Sequence, residues 1–425
     1  MILEKKTEFK ESKLGLIPID WSVLNIGRVF DFLKTNSLSR SQLVNEELDK
    51  ESIFNIHYGD IHSTFNYELL DLSKQEKLPK IIDNHALKSN PDFLKDGDLI
   101  IADASEDYLG LCDCVELMSI GELKLVSGLH TFALRDKSNN FASGFKSYVF
   151  KNQKVIKSIA RIATGISVLG VTKSNLSKLL ILVPPLKEQQ KIAQILSQWD
   201  EAIETTQTLI EKLQLRKKGL MQELLSGKKR LPGFTEEWKE EKLGSYFTER
   251  KETGLDNLPL LSVGKEGVYP QDDSNKKDTS NSNKSKYKRI CKGDIGYNTM
   301  RMWQGRSALS QLEGIVSPAY TILKPKENCD SVFFSHLFKL DDMIHKFYRN
   351  SQGMVSDTWM CKFKDFKIVR FNAPSSIEEQ KAISKIIALA DEEISEKEGY
   401  LEALKQQKKG LMQQLLTGQK RVKID

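Results

Sequence analysis

Residues 188–230 of this chain are written again at 379–421. The first copy reads EQQKIAQILSQWDEAIETTQTLIEKLQLRKKGLMQELLSGKKR and the second EQKAISKIIALADEEISEKEGYLEALKQQKKGLMQQLLTGQKR. They align without a gap at a constant offset of 191, with 20 of 43 positions identical. A chain that repeats a segment must solve the same packing problem twice, so the repeat sets the architecture. The period of the segment is helical. Ile192, Leu196, Trp199, Ile203, Ile210, Leu213, Leu220 and Leu224 step by fours and threes, interrupted by Thr206 and Lys217. Ile383, Ile387, Ile394, Leu401, Leu404, Leu411 and Leu415 keep the same register in the second copy, with Ala390, Lys397 and Lys408 between them. This is a 3.5-residue seam over about five heptads, the pattern of a coiled coil. Neither helix can bury its seam alone, and each has an equivalent in the same chain, which predicts an intramolecular antiparallel coiled coil, dry at Ile203. Thr206 and Lys397 read as polar residues that set register, and Gly227 and Gly418 as helix C-caps.

A second anchor precedes each helix. Trp21, followed by Gly27 and Phe30, matches Trp238, followed by Gly244 and Phe247. The order is therefore body, helix, body, helix. Within the bodies Gly97-Asp98 and Gly293-Asp294 each introduce an apolar strand, and 126–134 and 316–323 each read as one further strand. A helical segment follows (141–162 and 332–348), then a turn at Gly165 or Gly353, then a last strand (179–183 and 366–370) leading through Pro184-Pro185 or Pro374 into the helix. The expected fold is mixed α/β (α+β): two globular domains with curved sheets, a pseudo-twofold repeat, and two long helices. The boundaries are 1–184, 185–231, 232–373 and 374–425.

The 29% charged and 39% apolar residues suit a chain with real cores, of two or three domains at this length. No apolar run is long enough to span a bilayer and the start lacks a signal core, so a cytoplasmic location is expected. Five cysteines form no CxxC, and Cys112 and Cys114 alternate as in a strand, which favours structural thiols. With His57 and His62 they match no standard zinc spacing, and no metal is expected. There is no GxxxxGK[ST] phosphate loop. Asp92 with Glu122 and Lys124 spells a loose PD…ExK pattern, which leaves a nuclease as one alternative; a metal-dependent site would need the three to converge.

The proline pair with Leu186, Glu188 and Gln189, the two KKGLMQxLLxG helix ends and the tryptophan before each body together resemble the specificity subunit of type I restriction–modification enzymes. The second copy keeps one proline of the pair, Pro374, ahead of Glu379 and Gln380. The resemblance spans nearly the whole chain. It implies that each body is a target-recognition domain reading one half of a bipartite DNA sequence. It implies that the helices act as spacer and as docking surface for two methyltransferase subunits, joined by motor–nuclease (restriction/translocase) subunits. It also implies a non-catalytic chain with no cofactor of its own; S-adenosylmethionine, ATP and Mg belong to the partners. The bodies differ strongly, so the target should be asymmetric. A stand-alone architectural DNA-binding protein is the other alternative.

Bases are read by donors and acceptors at their edges, and phosphates are held by cations. In the second body Lys276, Lys277, Lys284, Lys286, Lys288 and Arg289 form a basic, polar stretch suited to the DNA backbone. Asn298, Arg301, Trp303, Gln304 and Arg306 group amide and guanidinium donors around an aromatic, the mix that base readout uses. In the first body the candidates are Asn55, His57, Tyr58, His62, Lys146 and Arg161. The basic ends of the helices, including Lys217 and Lys408, suit partner docking or the helix dipole as well as they suit DNA.

Overall fold

A computed structural model of the chain describes every residue except 1–7, 66–67, 88–89, 109, 256, 265–266, 274–282, 355–357, 375 and 425. The chain divides into two compact units, Met1–Gln207 with Tyr400–Asp425, and Thr208–Gly399. The long helices, Leu186–Leu225 and Ile377–Leu416, each contribute one part to each unit.

In the first unit the strand after the Gly-Asp turn, Leu99–Ala102, is central to a five-stranded sheet. It pairs antiparallel with Thr131–Asp136 and with Cys114–Met118, and the edges are Phe30–Phe32 and Leu69–Asp71. Side chains alternate across a strand, and the two faces of this one enter different cores. Leu99 and Ile101 pack with the helical layer, which includes Ile192 and Leu196 of the central helix and Leu415 and Leu416 of the distal helix. Ile100 and Ala102 pack instead with Phe54, Ile56, Leu78 and Leu125, from a four-stranded sheet of Lys124–Ser127, Ile53–Ile56, Lys77–Ile81 and Leu43–Glu47. The second unit repeats the plan with fewer strands. Ile295–Asn298 lies between Tyr320–Pro325 and Ser307–Leu309, with Ile295, Tyr297 and Leu323 facing the helical core and Ile322 facing a smaller core with Leu261, Ile290 and Val316.

The helices pair antiparallel, as the seam predicts. In the first unit Leu415 and Leu416 share a core with Ile192 and Leu196, while Lys408, nearer the start of its helix, reaches Asp200, further along the other. In the second unit Lys217 reaches Asp391 in the same way. Lys217 and Lys408 are equivalent positions of the repeat, as are Asp200 and Asp391. The seam lysines are thus satisfied within the chain, which corrects the reading of them as docking or DNA contacts. Most seam positions are buried, but Trp199, Ile203, Leu220 and Leu411 are only partly so; the seam is not dry at Ile203. Thr206 is buried and donates its hydroxyl to the carbonyl of Ala202 at 2.7 Å.

The repeated Glu-Gln pair fastens each helix start. Gln189 accepts from the Ala142 amide at 2.9 Å and donates to the Asn140 and Pro184 carbonyls; Gln380 accepts from the Asp330 amide and donates to the Asn328 carbonyl. Glu188 is fully buried and accepts from the Nε and Nη2 of Arg421 (2.6 and 2.8 Å) and from the indole N–H of Trp21 (2.9 Å). Glu379 takes Arg230 in the same bidentate geometry at 2.8 and 3.0 Å. The last residues of one repeat therefore lock onto the first residues of the other. Gly227 and Gly418, both at φ +72°, turn each helix end; a Cβ at Gly227 would lie 2.8 Å from Trp238, and one at Gly418 would lie 2.4 Å from Pro18.

Three details differ from the sequence reading. The stretches 126–134 and 316–323 each hold two strands in different sheets, Lys124–Ser127 with Thr131–Asp136 and Gly314–Val316 with Tyr320–Pro325. The last strand of the second body is Arg370–Ala373, not 366–370, because Phe363–Phe366 forms a helical turn closed by Asp365 accepting from the Lys362 amide. Cys112 lies in a turn at φ +62°, ahead of the strand.

Candidate nucleic-acid interface

In the first unit His57, Tyr58 and His62 come together. His57 caps the helix Tyr58–Ser63 by accepting from the Gly59 amide, and Asp60, held by Arg40 at 2.8 Å, accepts from the His57 amide. The Tyr58 ring touches His57 (4.5 Å between centroids) and meets His62 and His130 edge-on at 6.1 and 5.4 Å. Burial pushes the His57 imidazole below its usual range, so it stays neutral and keeps its acceptor role. His62 contacts the Ala104 carbonyl at 3.0 Å, and the His130 ring nitrogen lies 3.2 Å from Asp103. Burial raises the Asp103 carboxyl, with His130 opposing. Around these rings a cleft of about 810 Å³ opens, lined by Ser105, Asp107, Asp113 and Lys151 among others. His130, in the left-handed region at φ +55°, was missed by residue-type reasoning. The turn of only three residues between its flanking strands was the available signal.

Other candidates of this body are taken up by the fold. Asn55 is fully buried on the strand Ile53–Ile56 and accepts from Asn36 at 2.7 Å. Lys146 is buried against Glu116 at 2.7 Å, and Glu116 also accepts the Gly144 and Lys146 amides. Both side chains are buried: Lys146 is taken up by Glu116 and the Asn55 carbonyl by Asn36, while the Asn55 amide nitrogen has no hydrogen-bond partner among the described residues. Arg161 is exposed on the helix Gln153–Ile162, beside a different, shallower cleft with Asn175 and Lys178.

In the second unit the loop between Ile295–Asn298 and Ser307–Leu309 carries Arg301, Trp303, Gln304 and Arg306. Asn298 accepts from the Met300 amide and so folds the loop start. The Trp303 indole donates to the Met300 carbonyl, and its ring begins a ladder through Trp359 (5.4 Å) to Tyr348 (4.8 Å) and His345 (6.0 Å). Gln304 and Arg306 are exposed, Arg306 where the loop returns to the strand Ser307–Leu309. Of the basic stretch, Lys276 and Lys277 lie outside the described residues. Lys286 is exposed and Lys284 lies over the Tyr287 ring at 4.8 Å. Lys288 and Arg289 are already engaged: Lys288 donates to the Tyr320 carbonyl, and Arg289 bridges Glu252 and Glu313. They brace the strand Lys288–Ile290, which leaves their charge less available to a phosphate than the sequence suggested.

No metal centre assembles among the described residues. Asp92 accepts from the Lys34 amide, whereas Glu122 pairs with Lys50. Burial pushes the Cys112 thiol up to about 12 and the Cys114 thiol well above its usual range, the behaviour of core thiols. No helix among the described residues is long and apolar enough to cross a membrane.

Residues 18–215 match the type I restriction modification DNA specificity domain. The putative type I restriction enzyme MjaX specificity subunit of Methanocaldococcus jannaschii is 27% identical over 99% of this chain and 98% of its own length. The MjaVIII specificity subunit of the same organism is 26% identical over 99% and 97%. A chain solved in a study of complex assembly and conformational transition of the type I R-M system shares the fold, with a TM-score of 0.58 at 15% identity over 95% of this chain and 99% of that one. With both helix repeats, both Glu-Gln fastenings and both tryptophan anchors in place, the chain is similar over nearly its whole length to type I restriction–modification specificity subunits.

Proposed function

We propose that this chain is the DNA-recognition subunit of a type I restriction–modification complex, with each body reading one half of an asymmetric bipartite target. One observation carries the reading. The scaffolds agree residue for residue at the helix fastenings, yet the loops after the Gly-Asp strands border unlike chemistry: in the first body the loop lines a cleft with Tyr58, His62 and His130, and in the second it carries Arg301, Trp303, Gln304 and Arg306. Surfaces with different donors and acceptors suit two different half-sites. Lys284 and Lys286 would steady the duplex through phosphates. The proposal extends to a non-catalytic cytoplasmic chain whose long helices receive two methyltransferase subunits, with restriction/translocase subunits completing the complex. The four segments 1–184, 185–231, 232–373 and 374–425 name its reading bodies and docking helices.

The test is a methylation map after co-expression with the cognate methyltransferase subunit. A single two-part motif is the expected result. Substituting Arg301 or Arg306 should weaken one half of the motif by about 1–3 kcal/mol per base pair read and leave the other half alone. Methylation without sequence preference would overturn the reading.

A further inference from the structure

The two bodies turn a helix corner on the same residues. In the first unit Lys151 stands between the helices Lys146–Phe150 and Gln153–Ile162; in the second, Lys339 stands between Ser331–Leu337 and Asp341–Asn350. An offset of 188 lays Tyr148, Val149, Phe150 and Lys151 on His336, Leu337, Phe338 and Lys339. It carries Val155 to Met343 and Ile159 to Phe347, and each of these last pairs is buried.

Each corner lysine reaches the same place in its body. Lys151 donates to the Asp113 carboxylate at 2.7 Å, one residue before the strand Cys114–Met118. Lys339 donates to the Gly305 carbonyl at 2.7 Å and to that of Ser307, on either side of Arg306 and at the start of the strand Ser307–Leu309. Those strands are equivalent, since both pair antiparallel with the strand that follows the Gly-Asp turn. The lysine thus ties down the far end of the loop that crosses between the two strands. The loops share neither length nor chemistry, but the tie and the corner are common to both. In the second unit the fit is close: a Cβ at Gly305 would lie 2.8 Å from Ile344 of the helix after the corner. A corner that needed only packing would be served by an apolar side chain, without the cost of drawing an ammonium out of water. What the ammonium adds is several donors on a long arm, able to hold a backbone carbonyl or a carboxylate in place.

We infer that Lys339, and Lys151 at the equivalent corner, are positioning residues that hold the variable loop of each body in the shape that meets its DNA half-site. The inference rests on the recognition role proposed above.

The experiment uses the full chain in complex with its methyltransferase subunit, and duplexes carrying the mapped motif with either half scrambled. Lys339→Met should reduce discrimination at one half-site by about tenfold or more. Discrimination at the other half should stay at the parental level, which also reports that the complex is folded. Lys339→Arg, which keeps a cation and several donors, should restore most of the loss. Lys151→Met should shift the loss to the opposite half. The lysine's role is overturned if Lys339→Met discriminates like the parent. It is equally overturned if that variant binds every duplex more weakly, with a salt slope reduced by about one, since that marks a phosphate contact. A parental complex that binds both scrambled duplexes as well as the intact one would overturn the recognition role itself, a result distinct from either.

Discussion

The two units are built on one set of contacts, and they differ in how heavily each contact is invested. In the first, the buried Glu188 gathers Arg421 and the Trp21 indole, and Arg421 also reaches Asp20. In the second, Glu379 holds Arg230 alone, Arg230 lies over the Trp238 ring at 5.7 Å, and the buried Trp238 N–H has no hydrogen-bond partner among the described residues. Lys408 bridges Asp200 and Glu68, with Tyr148 donating to Asp200 at 2.7 Å; its equivalent Lys217 meets Asp391. The difference teaches which parts of a fastening are essential to the repeat. The bidentate Arg–Glu pair and the lysine–aspartate pair occur in both units, while the tryptophan bond and the second carboxylate are local additions.

Substitutions can separate these layers. Removing one partner of a buried ion pair strands the other, so Arg421→Ala should destabilise the first unit by about 3–5 kcal/mol, and Arg230→Ala should do the same to the second on a somewhat smaller scale. Denaturation midpoints followed in each body decide this, and equal indifference to both changes would mean the locks are ornamental. Lys408→Ala should cost about 3 kcal/mol because two poorly exposed carboxylates are left facing each other. Lys217→Ala, with a half-exposed aspartate partner, should cost only about 1 kcal/mol. Trp21→Phe should exceed Trp238→Phe by about 1.5–3 kcal/mol, the scale of a hydrogen bond to a charged group; equal losses would show that packing alone matters at both anchors.

The smallest effect is a difference in acid response. The corner residue beside the lysine–aspartate pair is Tyr148 in the first unit and His336 in the second. Burial and nearby carboxylates hold the Tyr148 hydroxyl far above its usual range, so it stays protonated. Burial, helped by Lys217, pushes the His336 imidazole below its usual value, against the opposing pull of Asp391 and Asp330. A depressed histidine means that the unfolded chain binds its proton first. The stability this position contributes is complete above about pH 6.5 and is lost as pH falls below that through the folded-state value. His336→Tyr, which installs the first unit's residue, should flatten the loss of stability of the second unit between about pH 7 and pH 5. Urea midpoints at those two values test it.

Much of this was legible because helices announce themselves by period, and a repeated helix does so twice. Glu188, Gln189, Glu379 and Gln380 stood out as a motif, although only the coordinates reveal what each carboxylate and amide grips. The proposed reading residues were harder to place. Side-chain chemistry singled out Tyr58, His62, Arg301 and Trp303, which the fold leaves accessible as candidates, but the same criterion picked Asn55 and Lys146, whose polar groups face inward. Residue type reports what a side chain can bind, not whether its partner is solvent or protein. The lysine corner escaped notice for another reason: insertions between the landmarks shift the offset from 191 to 188, and a shared Phe-Lys pair is too short to detect without the strands that place it.

The division of the helices between the units has a consequence for synthesis. The residues of the second unit, 208–399, are contiguous, so its core can close as soon as they leave the ribosome. The first unit is begun earlier but finished later, because Leu415, Leu416 and Val422 belong to its core and Arg421 to its buried carboxylate. The helical core of its amino-terminal body therefore stays incomplete until nearly two hundred further residues have been translated. A released chain ending at residue 400 should carry a finished second body and an unfinished first one, the reverse of the order in which they were begun.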